Sequence, residues 1–206
     1  MREERILELV QQYVNDHFEH EPSGHDYYHM KRVAKWAGTL AFHEGADSFT
    51  AELAGWLHDI GDSKLFDDPD SIYKELDQFL SSIQISPSKR AVIFDIIKNI
   101  SFSKGQVPES IEGKIVQDAD RLDAIGAVGI ARTFAYGGLK KQLIYDENDH
   151  YSSSIQHFYD KLLHLSSGMH TKKAQEEARK RHDFMEQYLR QFLDEWNSVE
   201  RAGEEK

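Results

Sequence analysis

His58 and Asp59, neighbours in Leu57-His58-Asp59-Ile60-Gly61-Asp62, offer a divalent cation an imidazole and a carboxylate from one short segment. His29 lies upstream, in Gly24-His25-Asp26-Tyr27-Tyr28-His29, and Asp120 downstream, in Gln117-Asp118-Ala119-Asp120-Arg121-Leu122-Asp123-Ala124. The two histidines and two aspartates can hold a metal ion and leave water on it, so the chemistry open to them is that of water beside a divalent cation. A lone His-Asp pair is more often a cap or a surface feature; the upstream histidine and downstream aspartate give this one weight. The chain has no cysteine. Any ligand must therefore be N or O, which favours manganese, iron, cobalt, nickel or magnesium over structural zinc.

The elements that would bring these residues together read as helices. Val33, Trp36, Ala37, Leu40 and Ala41 form one apolar stripe, and Leu53, Ala54, Trp56, Leu57 and Ile60 another; no stretch alternates as a strand would. His58 and Asp59 then fall near the end of a helix that Gly61 terminates. Ser86-Pro87 reads as a cap followed by proline at the first helical position, opening a helix to about Ile100, with a loop from Ser101 to Pro108. Ala174, Ala178, Met185, Leu189, Phe192 and Trp196 predict a long C-terminal helix over 171–198. Breaks are expected at Glu21 to Gly24, Gly61 to Asp70, Gly137-Gly138 and Asp146 to Asp149. The fold expected is all-α, a helical bundle of one domain over 1–200, with 201–206 a frayed tail.

The 206 residues suffice for a substantial core, and no apolar run approaches the roughly 20 residues that span a bilayer. The first residues enter an amphipathic pattern directly, so the expected location is the cytoplasm, away from membranes. A net charge of −11 repels duplex nucleic acid but leaves room for a small phosphorylated substrate held locally. The sequence shows no Walker phosphate loop, Gly-x-Gly-x-x-Gly turn or His-Glu-x-x-His helix. Asn99-Ile100-Ser101 matches a glycosylation pattern and is read as chance.

His29, then His58-Asp59, then Asp120 within Ala119-Asp120-Arg121-Leu122 resembles the signature of the HD superfamily of metal-dependent phosphohydrolases, over roughly His25 to Ala127. The resemblance implies an all-α HD-domain bundle with ligands His29, His58, Asp59 and Asp120, and it prefers Asp120 to its rivals Asp118 and Asp123. It also implies a phosphohydrolase acting on a small nucleotide, such as a nucleoside triphosphate pyrophosphohydrolase or a nucleotide phosphatase, with one divalent ion and manganese first among the candidates.

In that reading a bound cation acidifies a water and neutralises phosphoryl charge. Asp62, one turn past His58, and His25, four residues before His29, are the candidate proton-transfer groups, although a turn cap and a satisfied histidine are the bland alternatives. Lys64 and Arg121 are candidate phosphate contacts, Tyr27 and Tyr28 could stack on a base, and Arg179 and His182 stand apart as the inward-facing members of a basic run. Other readings of the same ligands are a cyclic-dinucleotide phosphodiesterase, lacking here its Gly-Tyr-Pro segment, and an alarmone hydrolase. A di-iron HD oxygenase would need further histidines from among His25, His43, His150, His157, His164 and His170. A non-catalytic metal-binding regulatory module completes the set, and the sequence is compatible with a homodimer.

Overall fold

A computed structural model of the chain describes residues 2–100, 107–147 and 153–198. The expected tail 201–206, Ser101 and most of its loop, Asp149 and His150 lie outside them. Among the described residues the regular structure is helical: α1 (Glu3–Phe18), α2 (Tyr27–Glu44), α3 (Ser48–Leu57), α4 (Pro69–Ser82), α5 (Pro87–Asn99), α6 (Ile111–Asp123) and α7 (Gly126–Leu139). A π turn at Phe158–Leu162, the single turn α8 (Leu163–Leu165) and a 3-10 turn at Ser166–Gly168 then lead to α9 (Lys172–Trp196). The chain is all-α as expected, and none of these helices is long and apolar enough to cross a membrane.

Short polar side chains start the helices. Asp26 accepts from the His29 amide at 2.7 Å to open α2, and Asp47 accepts from Thr50 at 3.0 Å to open α3. Ser86 accepts from Lys89 at 3.3 Å with Pro87 at the first helical position of α5, as its sequence predicts. Each cap satisfies an amide that the helix itself cannot, and fixes where the helix begins. Two sequence expectations need correction. α4 begins at Pro69, capped by Asp68, so Pro69 and Asp70 are helical. α7 runs through Gly137-Gly138 and ends at Leu139, because Gly137 packs against the Ser154 hydroxyl and so supports the helix by its small size.

Apolar side chains form two clusters that meet along α2 and α3. One gathers Val33, Leu40, Ala51, Ala54, Ile96, Ile115, Leu122, Phe158, Leu162 and Met185; the other gathers Val10, Val14, Met30, Leu53, Trp56, Leu57, Leu76, Leu80 and Ile93. α3 is buried nearly all round, and α2 on all but an exposed stripe through Lys31, Lys35 and Thr39, so the two act as the central wall of the bundle. They approach closely at Gly55, where a Cβ would stand 2.8 Å from Ala34 Cα. That contact sets the end of α3, and so His58, against the first turn of α2, which carries His29.

Candidate metal centre

α3 stops at Leu57, two residues short of taking both His58 and Asp59 into the helix. His58 is its C-cap, and Asp59, Ile60 and Gly61 continue as turns. Gly61 takes φ +83°, a conformation that costs other residues about 1 kcal/mol or more, and a Cβ there would fall 2.5 Å from the Tyr73 ring. The tight turn leaves both neighbouring side chains facing the α2–α6 groove.

Four donor groups converge there. His29 Nε2 lies 3.2 Å from His58 Nε2, 3.6 Å from Asp59 Oδ2 and 3.6 Å from Asp120 Oδ1. His58 Nε2 lies 3.4 Å from Asp59 Oδ1 and 3.7 Å from Asp120 Oδ1. Metal–ligand bonds of about 2.1 Å at tetrahedral or octahedral angles put neighbouring donors about 3.0–3.4 Å apart, so each carboxylate already stands close to the spacing it needs to share a cation with the two histidines.

The tautomers argue the same way. His29 Nδ1 donates to Asp123 Oδ2 at 2.7 Å, and His58 Nδ1 donates to the Gly55 carbonyl at 2.9 Å. In neutral rings each Nε2 then keeps its lone pair, and two lone pairs face one another inside the protein. A cation between them resolves that opposition, and a carboxylate or carbonyl behind each histidine is the usual support of a metal-binding imidazole. When no metal is bound and these rings can carry a second proton, burial pushes the Asp59 carboxyl up, but the charge of His58 and hydrogen bonds from His25 and His29 hold it well below its ordinary value. It is thus available as an anionic ligand.

The two rivals of Asp120 have other partners. Asp123, one turn beyond Asp120 on α6, is the carboxylate behind His29; it also accepts from Arg32 Nε at 2.6 Å and Nη2 at 3.0 Å, and from Arg132 Nη1 at 2.9 Å. Asp118 sits about 200° round the helix from Asp120 and faces α9. It accepts from the amides of His170 at 2.9 Å and Thr171 at 2.8 Å and from the Thr171 hydroxyl at 2.8 Å, bracing the start of α9, whose N-cap Thr171 makes no side-chain capping bond to the helix's own amides. Asp118→Ala is expected to cost about 2–3 kcal/mol, the loss of this brace with buried donors left unpaired, while the protein retains its metal. Thermal unfolding together with metal analysis checks this: a lowered midpoint with wild-type metal content marks a brace, and lost metal would make Asp118 a ligand instead.

The remaining candidates divide. His25 precedes α2, so helical spacing does not carry it to the site; the preceding loop does, and its Nδ1 donates to Asp59 Oδ2 at 2.6 Å. By mutual distance the donors fall into two close groups that share His29: His29, His58 and Asp120, and His25, His29 and Asp59. Asp62 accepts from the Lys64 amide at 2.8 Å within its turn, and the Lys64 side chain is exposed. Tyr27 packs on Trp56 in the core, ring centroids 5.5 Å apart, whereas Tyr28 is 64% exposed beside His29. Arg121 Nη1 reaches the Gly168 carbonyl and stands 3.2 Å from His170 Nε2. Arg179 lines a surface cleft of about 250 Å³ with Ser166, Ser167 and Gln175. His182 lies 3.3 Å from the Ser166 hydroxyl and 3.4 Å from Glu186. None of these contacts of Arg121, Arg179 or His182 is with the four donors. Sequence reasoning missed Arg32 and Arg132. Arg32 was within reach, three residues past His29 on the same helix face; Arg132 stands on an element whose position no local pattern reveals.

Side-chain exposure grades from 0% at His29 through 2% at His58 and 12% at Asp59 to 32% at Asp120 and 37% at His25. The group is sealed behind the histidines and opens between His25 and Asp120.

The HD domain family model matches residues 26–125, the span that contains every one of the four donors. Protein YpgQ of Bacillus subtilis (strain 168) is 41% identical over 196 residues, which cover 93% of this chain and 94% of that protein. A crystal structure of Bacillus subtilis YpgQ in complex with ADP superposes with a TM-score of 0.76 at 40% identity, covering 90% of this chain and 94% of the other. An HD-superfamily hydrolase from Bacillus thuringiensis gives a TM-score of 0.80 at 41% identity, covering 95% and 99%.

Proposed function

The chain belongs to the HD superfamily, and from that premise we propose that it is a metal-dependent phosphohydrolase that cleaves a phosphoester or phosphoanhydride bond of a small nucleotide, with His29, His58, Asp59 and Asp120 as ligands and manganese as the preferred ion. The observation that carries the reading is the pair of imidazole Nε2 atoms facing each other at 3.2 Å, each ring already donating through Nδ1. The similar YpgQ, solved with ADP, supports a nucleotide as the ligand class.

When bound, the cation supplies Lewis acidity, lowering the pKa of water and neutralising charge on the phosphoryl oxygens. The protein's own groups do the rest. Asp123 holds His29 in the tautomer that presents Nε2, and the Gly55 carbonyl does the same for His58. His25, bonded to Asp59 at the open rim, is placed to receive or return a proton at its Nε2. The buried histidine wall excludes water from behind, so attack comes from the side of Asp120 and His25.

The test is turnover by metal-stripped protein resupplied with manganese, against nucleoside mono-, di- and triphosphates, with phosphate and pyrophosphate measured separately. Manganese-dependent release of either product is expected, and its identity names the bond. No release from any nucleotide, with metal demonstrably bound, would overturn the proposal.

A further inference from the structure

The outer face of α7 has the composition of a buried one. Between Gly126 and Leu139 the helix holds a single charged side chain, Arg132, and that one donates to Asp123 through Nη1 at 2.9 Å. Ile130 and Phe134 pack inward, yet Ala127, Val128, Ala131, Ala135 and Leu139, which share an arc of about 120° on another side of the helix, are exposed. A helix that is apolar all round belongs in an interior. The outer faces of α1 and α9 show the contrast, with charges such as Glu4 and Glu8 or Glu176 and Lys180.

The apolar surface continues beyond the helix. Leu143 and Ile144 follow α7 on a fixed backbone: the Gln142 amide donates to the Gly137 carbonyl at 2.8 Å, and the carbonyls of Leu143 and Ile144 accept from Ser154 at 2.9 Å and Ile155 at 3.0 Å. On α9, Phe184 lies between Arg181 and Tyr188, the side chains that meet α7 at Gly126 and Phe134. Val128, Tyr136, Leu139, Leu143, Ile144 and Phe184 are 40–56% exposed. With the alanines they offer on the order of 600 Å² of apolar surface, the upper end for one patch on a lone soluble protein and not far below the roughly 800 Å² per partner of a standard interface. Side chains on a fixed backbone lose little freedom on contact, which favours association.

Charge and symmetry name the occupant. The chain carries a net charge of −11, so two copies repel wherever acidic faces meet, and the α7 face, which holds no acidic residue, is where they can approach. The surface also complements itself. Gly126 lies against Arg181 and Phe134 against Tyr188, so α7 and α9 run in the same direction. When two α7 helices pair antiparallel about a two-fold axis, the exposed Lys140 and Lys141 at the end of one come beside the start of the other, where α9 exposes Asp183. We propose that this face pairs with the same face of a second copy of the chain, α7 against α7, to form a two-fold dimer. The pairing is independent of the phosphohydrolase reading.

The experiment is sedimentation equilibrium of the full chain from about 1 to 100 μM, for wild type, Ala131→Glu, Leu139→Glu and Phe42→Glu, with a thermal melt of each at the lowest concentration. Two such faces bury about 1,200 Å² in all, the low end for a specific complex, so wild type is expected to pass from monomer to dimer within this range. Ala131→Glu and Leu139→Glu set like charges against each other across the axis and are expected to weaken the dimer at least about tenfold. Both residues are exposed, so the variants should melt like wild type, and because they stand at different places on the face either one alone decides. Phe42→Glu charges an exposed aromatic on α2 and is expected to leave the dimer unchanged. Wild type that stays monomeric throughout would overturn the inference and leave the face to a different protein. A dimer that survives both α7 substitutions would put the contact elsewhere, and one weakened equally by Phe42→Glu would make added charge alone the cause; each overturns it.

Discussion

Asp59→Ala is expected to leave the purified protein with little of its metal and to lower turnover at least about 10³-fold, the several kcal/mol that a divalent cation contributes to a phosphoryl transition state. Asp59 stands at the centre of the donor set: its Oδ1 lies 3.4 Å from His58 Nε2, and its Oδ2 lies 3.6 Å from His29 Nε2 and 2.6 Å from His25 Nδ1. Alanine removes the proposed ligand, its negative charge, and the acceptor that positions His25. The fold should tolerate the loss, because with the metal also gone the remaining imidazoles need no counter-charge. Metal analysis, turnover and a thermal melt on one preparation check the expectation. A variant that keeps its metal and loses activity would make Asp59 a positioning group and not a ligand.

Asp123→Ala should do a different kind of damage. Its carboxylate is 2% exposed and joins His29 from α2, Arg32 from α2 and Arg132 from α7 to the end of α6. Without it Arg132, 18% exposed, becomes a poorly solvated cation, and Arg32, 35% exposed, partly recovers water. The expected loss is about 3 kcal/mol, the low end for a broken buried ion pair because Arg32 can rehydrate. His29 also loses the partner that fixes its tautomer, so metal affinity should fall about 10–100-fold even at temperatures where the variant is folded. Denaturant unfolding of the metal-free protein reads the first effect, and metal titration well below the melting temperature reads the second. A variant as stable as wild type would show that the arginines find other partners. The acid sensitivity follows in sign. Burial pushes the Asp123 carboxyl up, but hydrogen bonds from His29 and Arg32 and the charges of His29 and Arg132 outweigh it and hold the group well below its unfolded value. Its contribution is therefore complete above the ordinary Asp range, near pH 4, and drains away as pH falls below it.

Much of the molecule follows from the chain read locally. The all-α class, the family, the long last helix and the Ser86-Pro87 start come from periodicities and caps that act over a few residues, where 3.6-residue spacing and unsatisfied amides leave few alternatives. The separation of Asp118 from Asp120 was also within reach of helical geometry, since two residues put side chains on opposite faces of α6. What the spacing could not say is which partner each face meets. That Asp118 braces the start of α9, that Asp123 backs His29 between two arginines, and that Gly137 supports α7 by its smallness all depend on contacts between residues far apart in the chain. His25 makes the division plain. Its identity and its place four residues before His29 suggested a helical neighbour, yet it reaches Asp59 from a loop, because Asp26 caps the helix and α2 begins at Tyr27, two residues past His25. The sequence determined the helices and the chemical types that could meet; only tertiary packing, through the close α2–α3 contact at Gly55 and the positive-φ turn at Gly61, decided which of them do.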